Sequence, residues 1–372
     1  MRNSPERTIK FSDGFRSNKS PLPKGKQSVN RALKRLGIME QISEISPPQA
    51  LATARLGARK IAHLTTDSGR FKYRYDANTK GELSGYNVLR HCGAIWSMLD
   101  VFTVAPDDEL LESATRAVTY LLNEHLQFYR HYLNVCICEK NTIKLGGNAL
   151  AALALAKLYE IKKDGILLDT CHQLCRFMLD QRKAQGDFVH KRYFKSGKIS
   201  AFRSDYYVGE ALLALLACYE ITGDAQLLDA VRTVESGLAA QNYGVPEQSH
   251  WMLYALEQLQ RFDESPHIYE HAENIAAEII NKPVYLDSGR STPIACRTEG
   301  LLAFVRMTSQ DASVESLQSA ALQCVRTNLD KQLAFQTKDG GFTRGGDDRR
   351  DQEVRIDYIQ HNISAFLHFS QL

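Results

Sequence analysis

The chain has 372 residues, 44% of them apolar and 24% charged, with a formal net charge of +3. This is the profile of an ordinary globular protein with room for one large core or two small ones. No run of 18 apolar residues occurs, which excludes a membrane-spanning helix of the usual kind.

In chain order, residues 1–45 come first as a basic arm. Ten Lys/Arg against Glu6 and Asp13 fall within the first 36 residues, so the remainder carries about −5. The arm is rich in Ser, Asn, Pro and Gly and has no continuous apolar stretch, so it reads as disordered rather than as a secretory signal. A solvated tail is expected, with no nucleic-acid partner.

Residues 46–372 then form one domain in which two kinds of helical period alternate six times. One set, near 49–64, 108–125, 165–182, 224–241, 264–281 and 313–333, mixes charged and apolar positions as a half-exposed helix does. The other set, near 86–103, 146–161, 205–222, 248–261, 295–308 and 357–370, is almost wholly apolar along its length, as in LGGNALAALALAKLY. From each apolar segment to the next mixed one the connection is short. The reverse connections are mostly long and hold strand-like pieces such as RFKYRYD and FVHKRYF.

Internal repetition accompanies the alternation. LYEIKKDGILLD at 158–169 returns as CYEITGDAQLLD at 218–229, with an Asp placed to cap the following helix. TDSGRF, KAQGDF and TKDGGF share a Gly-x-Phe core, and Tyr86, Tyr206 and Tyr358 follow Gly69, Gly186 and Gly340 by 17, 20 and 18 residues.

This pattern resembles the (α/α)6 toroid, twelve helices in two concentric rings, shared by six-hairpin glycosidases, sugar epimerases, polysaccharide lyases, lanthionine cyclases and terpenoid cyclases. The resemblance covers residues 49–372 and is architectural. It implies an all-α domain with short β-hairpin loops gathered at the mouth where the inner helices begin. QTKDGGF is similar to the Q-x-x-D-G-x-W repeat of terpenoid cyclases, with Phe in place of Trp.

The apolar segments carry their polar side chains at their heads. The first opens with Tyr86, Asn87, Arg90 and His91, the second with Asn148, and the third with Asp205, Tyr206, Tyr207 and Glu210. The fourth opens with His250 and Trp251, the fifth with Arg297 and Glu299, and the sixth with Asp357, Gln360 and His361. In a toroid these heads converge on one funnel, where helix dipoles add positive potential and favour anionic groups.

Carboxylates, histidines, arginines and aromatics in one cleft suit acid/base chemistry on a polar ligand. The expected catalytic groups are Asp205, Glu299, Asp357, His91 and His361. Hydrolysis would draw a carboxylate pair from Asp205, Glu299 and Asp357. Elimination or epimerisation would move a proton through His91, His361 or Tyr86, with Arg90 and Arg297 neutralising a substrate carboxylate. Tyr86, Asn87, Arg90, Tyr207, Glu210, His250, Trp251, Arg297 and Gln360 are expected to bind substrate, with Tyr207 and Trp251 as a platform under the sugar.

The leading expectation is therefore a cytoplasmic enzyme acting on an anionic saccharide as hydrolase, lyase or epimerase, without a cofactor. A terpenoid or prenyl-type enzyme and a non-catalytic binding or assembly protein of polysaccharide metabolism are the alternatives. The eight cysteines fall mostly in apolar helical patterns and read as reduced core thiols. Cys136 with Cys138, and Cys171 with Cys175 beside His172, lack the CxxC spacing of structural zinc. DDRRD at 347–351 matches a magnesium-binding pattern of terpenoid synthases but follows Gly-Gly in a loop and reads as a solvated charge run. Cys296 with His91 or His361 imitates the zinc ligands of the toroidal cyclases, whose surrounding motifs are absent.

Overall fold

The computed structural model describes residues 45–129, 134–183, 186–346 and 350–372. The basic arm and the start of DDRRD lie outside the described residues. Among these, twelve α-helices alternate with short strands. The outer helices are α1 (Pro47–His63), α3 (Asp108–His125), α5 (Gly165–Leu179), α7 (Ala225–Ala239), α9 (Pro266–Asn281) and α11 (Glu315–Leu333). The inner helices are α2 (Val88–Val104), α4 (Leu145–Lys162), α6 (Tyr207–Thr222), α8 (His250–Leu259), α10 (Ser291–Met307) and α12 (Ile356–Phe369).

Each inner helix packs against the next, and α12 returns to α2, so the inner ring closes. The outer helices sit behind them, with α1 filling the place behind α12. The chain has the (α/α)6 toroid fold, with the apolar segments as the inner ring. Helix α4 is buried along nearly its whole length, which explains why its sequence shows no polar face.

Asp164 and Asp224 accept hydrogen bonds from the amides of Ile166 and Gln226, capping α5 and α7 after left-handed turns at Lys163 and Gly223. Gly69 and Gly340 have φ of 84° and 88°. A Cβ on either would collide with the backbone of an outer helix, at Arg116 and Leu56 respectively. Phe71, Phe188 and Phe342 two residues on are fully buried and bridge back to Thr65, Arg182 and Gln336. The Gly-x-Phe repeat is thus a turn that anchors three of the long loops against the ring.

The long loops form two sheets at the end where the inner helices begin. Strand β1 (Arg74–Asp76) pairs antiparallel with β6 (Glu353–Arg355), joining the first loop to the last. The other sheet runs in the order β2 (Leu126–Tyr129), β3 (Asn134–Glu139), β4 (Thr142–Lys144), β5 (Lys191–Tyr193). β4 and β6 run straight into α4 and α12, which fixes both sheets at the mouth. No helix of the described residues is long and apolar enough to cross a membrane.

Trp96 of α2 and Trp251 of α8 reach from opposite sides of the inner ring and meet with ring centroids 5.6 Å apart. They separate a cavity at the mouth from a smaller one at the opposite end, of about 520 and 310 Å³.

Candidate active site

The mouth cavity is lined by heads from all six inner helices. From α2 come Asn87 and Arg90, from α6 Tyr207 and Glu210, from α8 His250 and Trp251, and from α12 Asp357, Gln360 and His361. Helix α10 supplies Cys296 and Arg297, and α4 supplies Leu150. Asn87 also caps α2, accepting from the Leu89 amide at 3.0 Å. Three further arginines, Arg290, Arg344 and Arg355, complete a cationic rim.

Asp357 is buried and ion-paired twice. Its carboxylate lies 3.0 Å from Arg90 Nε and accepts from both Nε and Nη2 of Arg355, the latter at 3.0 Å. Burial opposes its ionisation, but the two guanidinium groups outweigh burial and hold its carboxyl below the usual range. It is a charged strut between α2, β6 and α12.

Glu210 is the opposite case. It is buried beside Tyr207 and its Oε2 has no hydrogen-bond partner. Burial drives its carboxyl up to about 8, with His361 pulling weakly the other way. Burial thus favours its neutral form, and it faces the cavity. Gly146 of α4 makes room for it, because a Cβ there would collide with Glu210 Oε2 and the Tyr207 ring.

The floor holds two histidines. His361 donates from Nδ1 to Glu299 Oε2 at 3.1 Å, and the His250 and His361 rings stand nearly perpendicular with centroids 5.3 Å apart. His250 Nε2 lies 3.6 Å from the same Glu299 oxygen, and neither ring nitrogen of His250 makes a hydrogen bond. Burial works against a charged His361, yet Cys296 and Glu299 beside it raise its pKa well above the ordinary value. Burial, with His361 and Arg297 nearby, lowers that of His250 well below. Burial also raises Glu299, against the pull of His361.

Arg297 donates to Gln248 Oε1 at 3.3 Å and to the Glu247 carbonyl at 3.1 Å. Both are uncharged, so among the described residues its guanidinium has no carboxylate partner.

Of the residues expected from sequence, Glu299 stands just behind the wall and four others do not reach it. Asp205 is exposed ahead of α6, because that helix starts two residues later and leaves Asp205 outside its first turn. His91 is fully buried behind α2. It accepts from Tyr86 OH at 2.8 Å and donates from Nε2 to the Ala117 carbonyl at 2.9 Å. Burial pushes it down to about 3, so it is a neutral histidine of the core with both nitrogens satisfied. Tyr86 is occupied by His91 and the Phe71 amide. Asn148 ties β3 to the head of α4 through the Ile137 amide at 2.8 Å.

Sequence reasoning passed over Arg355, Arg344 and Arg290 because they sit in strand and loop, outside the helical period. Arg355 did leave a signal, two residues before Asp357 in a strand-like VRI. Cys296 precedes Glu299 by three on α10 and so shares its face.

No family model matches the sequence, and no curated protein matches it in sequence. Solved structures do match its fold. A D-mannose isomerase superposes with a TM-score of 0.68 at 11% identity, covering 87% of this chain and 97% of its own. The cellobiose 2-epimerase of Bacillus thermoamylovorans gives 0.68 at 14% identity, covering 86% and 98%. The unsaturated glucuronyl hydrolase of Bacillus sp. GL1 gives 0.63 at 16% identity, covering 86% and 96%. All three are (α/α)6 toroids. The likeness extends over nearly the whole of each of these chains, so the described domain corresponds to their complete toroid.

Proposed function

We propose that the protein is a carbohydrate-active enzyme that moves a proton on the carbon next to a sugar carbonyl, as an epimerase or isomerase does. The observation that carries this reading is the pair His250 and His361 across the cavity floor. Inverting one carbon by proton transfer is served by two groups that reach it from different sides. His250, whose ring nitrogens have no partner, takes the proton. His361, oriented by Glu299, gives a proton to the same carbon from the other side, and exchange with solvent then removes the proton from His250 and restores that of His361.

The rest of the cavity fits a sugar. Trp251 offers an aromatic face at the floor, and Glu210 offers a neutral carboxylic acid to a hydroxyl or carbonyl oxygen. Arg297 and the arginine rim favour a substrate bearing a carboxylate or another anion. A charged cavity of this kind is a poor host for an isoprenoid chain. The toroid neighbours named for mannose and cellobiose point to the same class of substrate.

Glu210 also favours a second reading, glycoside hydrolysis, because a buried carboxylic acid with a free oxygen is what protonates a leaving group.

The test is incubation with a panel of uronates, neutral aldoses and ketoses, and uronate-containing oligosaccharides in deuterated water, followed by NMR. Deuterium entering the carbon beside the carbonyl, with a new isomer, supports the proposal. Chain cleavage without exchange at that carbon replaces it by the hydrolytic reading.

A further inference from the structure

We propose that His250, Cys296, Glu299 and His361 together form a zinc(II) site at the cavity floor, and that zinc bound there switches the enzyme off. The second half rests on the reading of the two histidines as the proton-transfer pair.

The four side chains come from three inner helices, α8, α10 and α12. One donor atom from each lies within 4.8 Å of all the others. Two of the edges are shorter, 3.1 Å from His361 Nδ1 to Glu299 Oε2 and 3.6 Å from His250 Nε2 to the same oxygen. In a tetrahedral zinc site with bonds of about 2.0–2.3 Å, neighbouring ligand atoms stand roughly 3.3–3.8 Å apart. The cluster therefore needs side-chain adjustments on the order of an ångström and no movement of the helices.

Charge points the same way. Zinc(II) with one thiolate, one carboxylate and two neutral imidazoles is a neutral assembly, which a buried floor accepts without the cost of an isolated charge. Cys296 gives up its thiol proton to solvent on binding, and the His361 Nδ1 proton moves to the other ring nitrogen or to solvent.

The independent observation is His250. It is only 1% exposed, and both of its ring nitrogens lack a hydrogen-bond partner. A buried polar group left open costs stability unless something fills it. A metal ion beside Nε2 fills it.

The donor set selects the ion. One sulfur, two imidazoles and one carboxylate suit zinc and its late first-row neighbours, whereas magnesium and calcium take oxygen ligands. Four protein ligands also complete a tetrahedral shell, leaving no position for water or substrate. Zinc at this place occupies both histidines and so opposes proton transfer. Cys296 and His361 line the cavity, so the ion reaches the floor from the mouth.

The experiment uses the full chain stripped with a chelator. Cobalt(II) is added as a spectroscopic substitute, and zinc(II) is titrated against a chromogenic chelator. The expected result is one ion per chain, strong visible bands of tetrahedral cobalt and a sulfur-to-cobalt charge-transfer band in the near ultraviolet. Cys296→Ser abolishes the charge-transfer band and weakens zinc at least tenfold, as does His250→Asn, while Cys136→Ser changes neither. Weak binding, octahedral cobalt or a spectrum untouched by Cys296→Ser in a folded protein overturns the site.

These readouts use no substrate, so they stand or fall separately from the saccharide reading. With a substrate in hand, stoichiometric zinc stops deuterium exchange and the chelator restores it. Exchange that requires zinc would overturn the switch and make the ion a cofactor.

Discussion

Asp357 and Arg355 face each other two residues apart at the junction of β6 and α12, with two parallel contacts between guanidinium and carboxylate, while Arg90 closes on the same carboxylate from α2. This triad links the last loop to the first inner helix, where the ring closes. Removing the charge in Asp357→Asn leaves two arginines facing each other at a site where the carboxylate side chain is only 8% exposed. A loss of about 3–5 kcal/mol is expected, read as a lower urea midpoint with an unchanged slope. Wild-type stability with abolished turnover would instead make Asp357 a reacting group.

Gly146 gives a test of the opposite kind, in which a side chain is added. In Gly146→Ala the new methyl group meets Glu210 and Tyr207, both of which line the cavity. The helix itself gains from alanine, so the two effects oppose. Overpacking of about 1–3 kcal/mol outweighs a propensity gain of up to about 1 kcal/mol, and the variant should be modestly less stable. Substrate affinity should fall with it, because Glu210 is displaced. A more stable variant with unaltered binding would show that Glu210 has another place to go.

How much of this was legible beforehand differs between ring and site. The two rings follow from periodicity and from capping residues, which are local, so the segment near 357–370 became α12 at Ile356–Phe369. Helix α10 begins at Ser291, four residues ahead of the periodic segment near 295–308, because Ser291, Thr292 and Pro293 break the apolar period although proline is tolerated in a first helical turn. The site depends on non-local facts. Asp205 and Glu210 are five residues apart, but Asp205 precedes α6 and only Glu210 lies in its first turn, where it turns inward. His91 and His361 look alike in sequence, yet one is enclosed by Tyr86 and the Ala117 carbonyl and the other meets Glu299 from a different helix. Periodicity cannot tell those environments apart.

Glu210 predicts a pH dependence of stability. In the unfolded chain its carboxyl titrates near the ordinary glutamate value, about 4.3, whereas in the fold burial raises it to about 8. Below the unfolded value both states are protonated and the group contributes no slope. Between the two values the unfolded state ionises and the fold does not, so stability falls as pH rises, by about 1.4 kcal/mol per pH unit, and levels off once the folded group ionises. The groups facing Glu210 are Tyr207 on its own helix, His361 from α12 and Cys92 from α2. Subtracting Glu210→Gln unfolding free energies from wild type between pH 5 and 8 isolates its share. A difference that stays flat across that range would mean that Glu210 is ionised in the folded protein.

Two buried histidines of the mouth end, His91 and His250, should separate stability from chemistry. His91 has both ring nitrogens engaged, so His91→Leu leaves Tyr86 OH and the Ala117 carbonyl without their partner and should cost about 1–3 kcal/mol. Folded molecules of that variant should still turn over, since His91 lies behind the wall. His250 has no hydrogen bond to lose, so His250→Asn should unfold within about 1 kcal/mol of wild type, given the usual spread for single changes. Its deuterium exchange should nevertheless fall by about 10²–10⁴, the usual contribution of one positioned acid or base. Urea unfolding and NMR exchange on the same two preparations decide the matter. If His91→Leu lost turnover while keeping its stability, and His250→Asn did the reverse, the proton-transfer role would have to move from the cavity floor to the core behind α2.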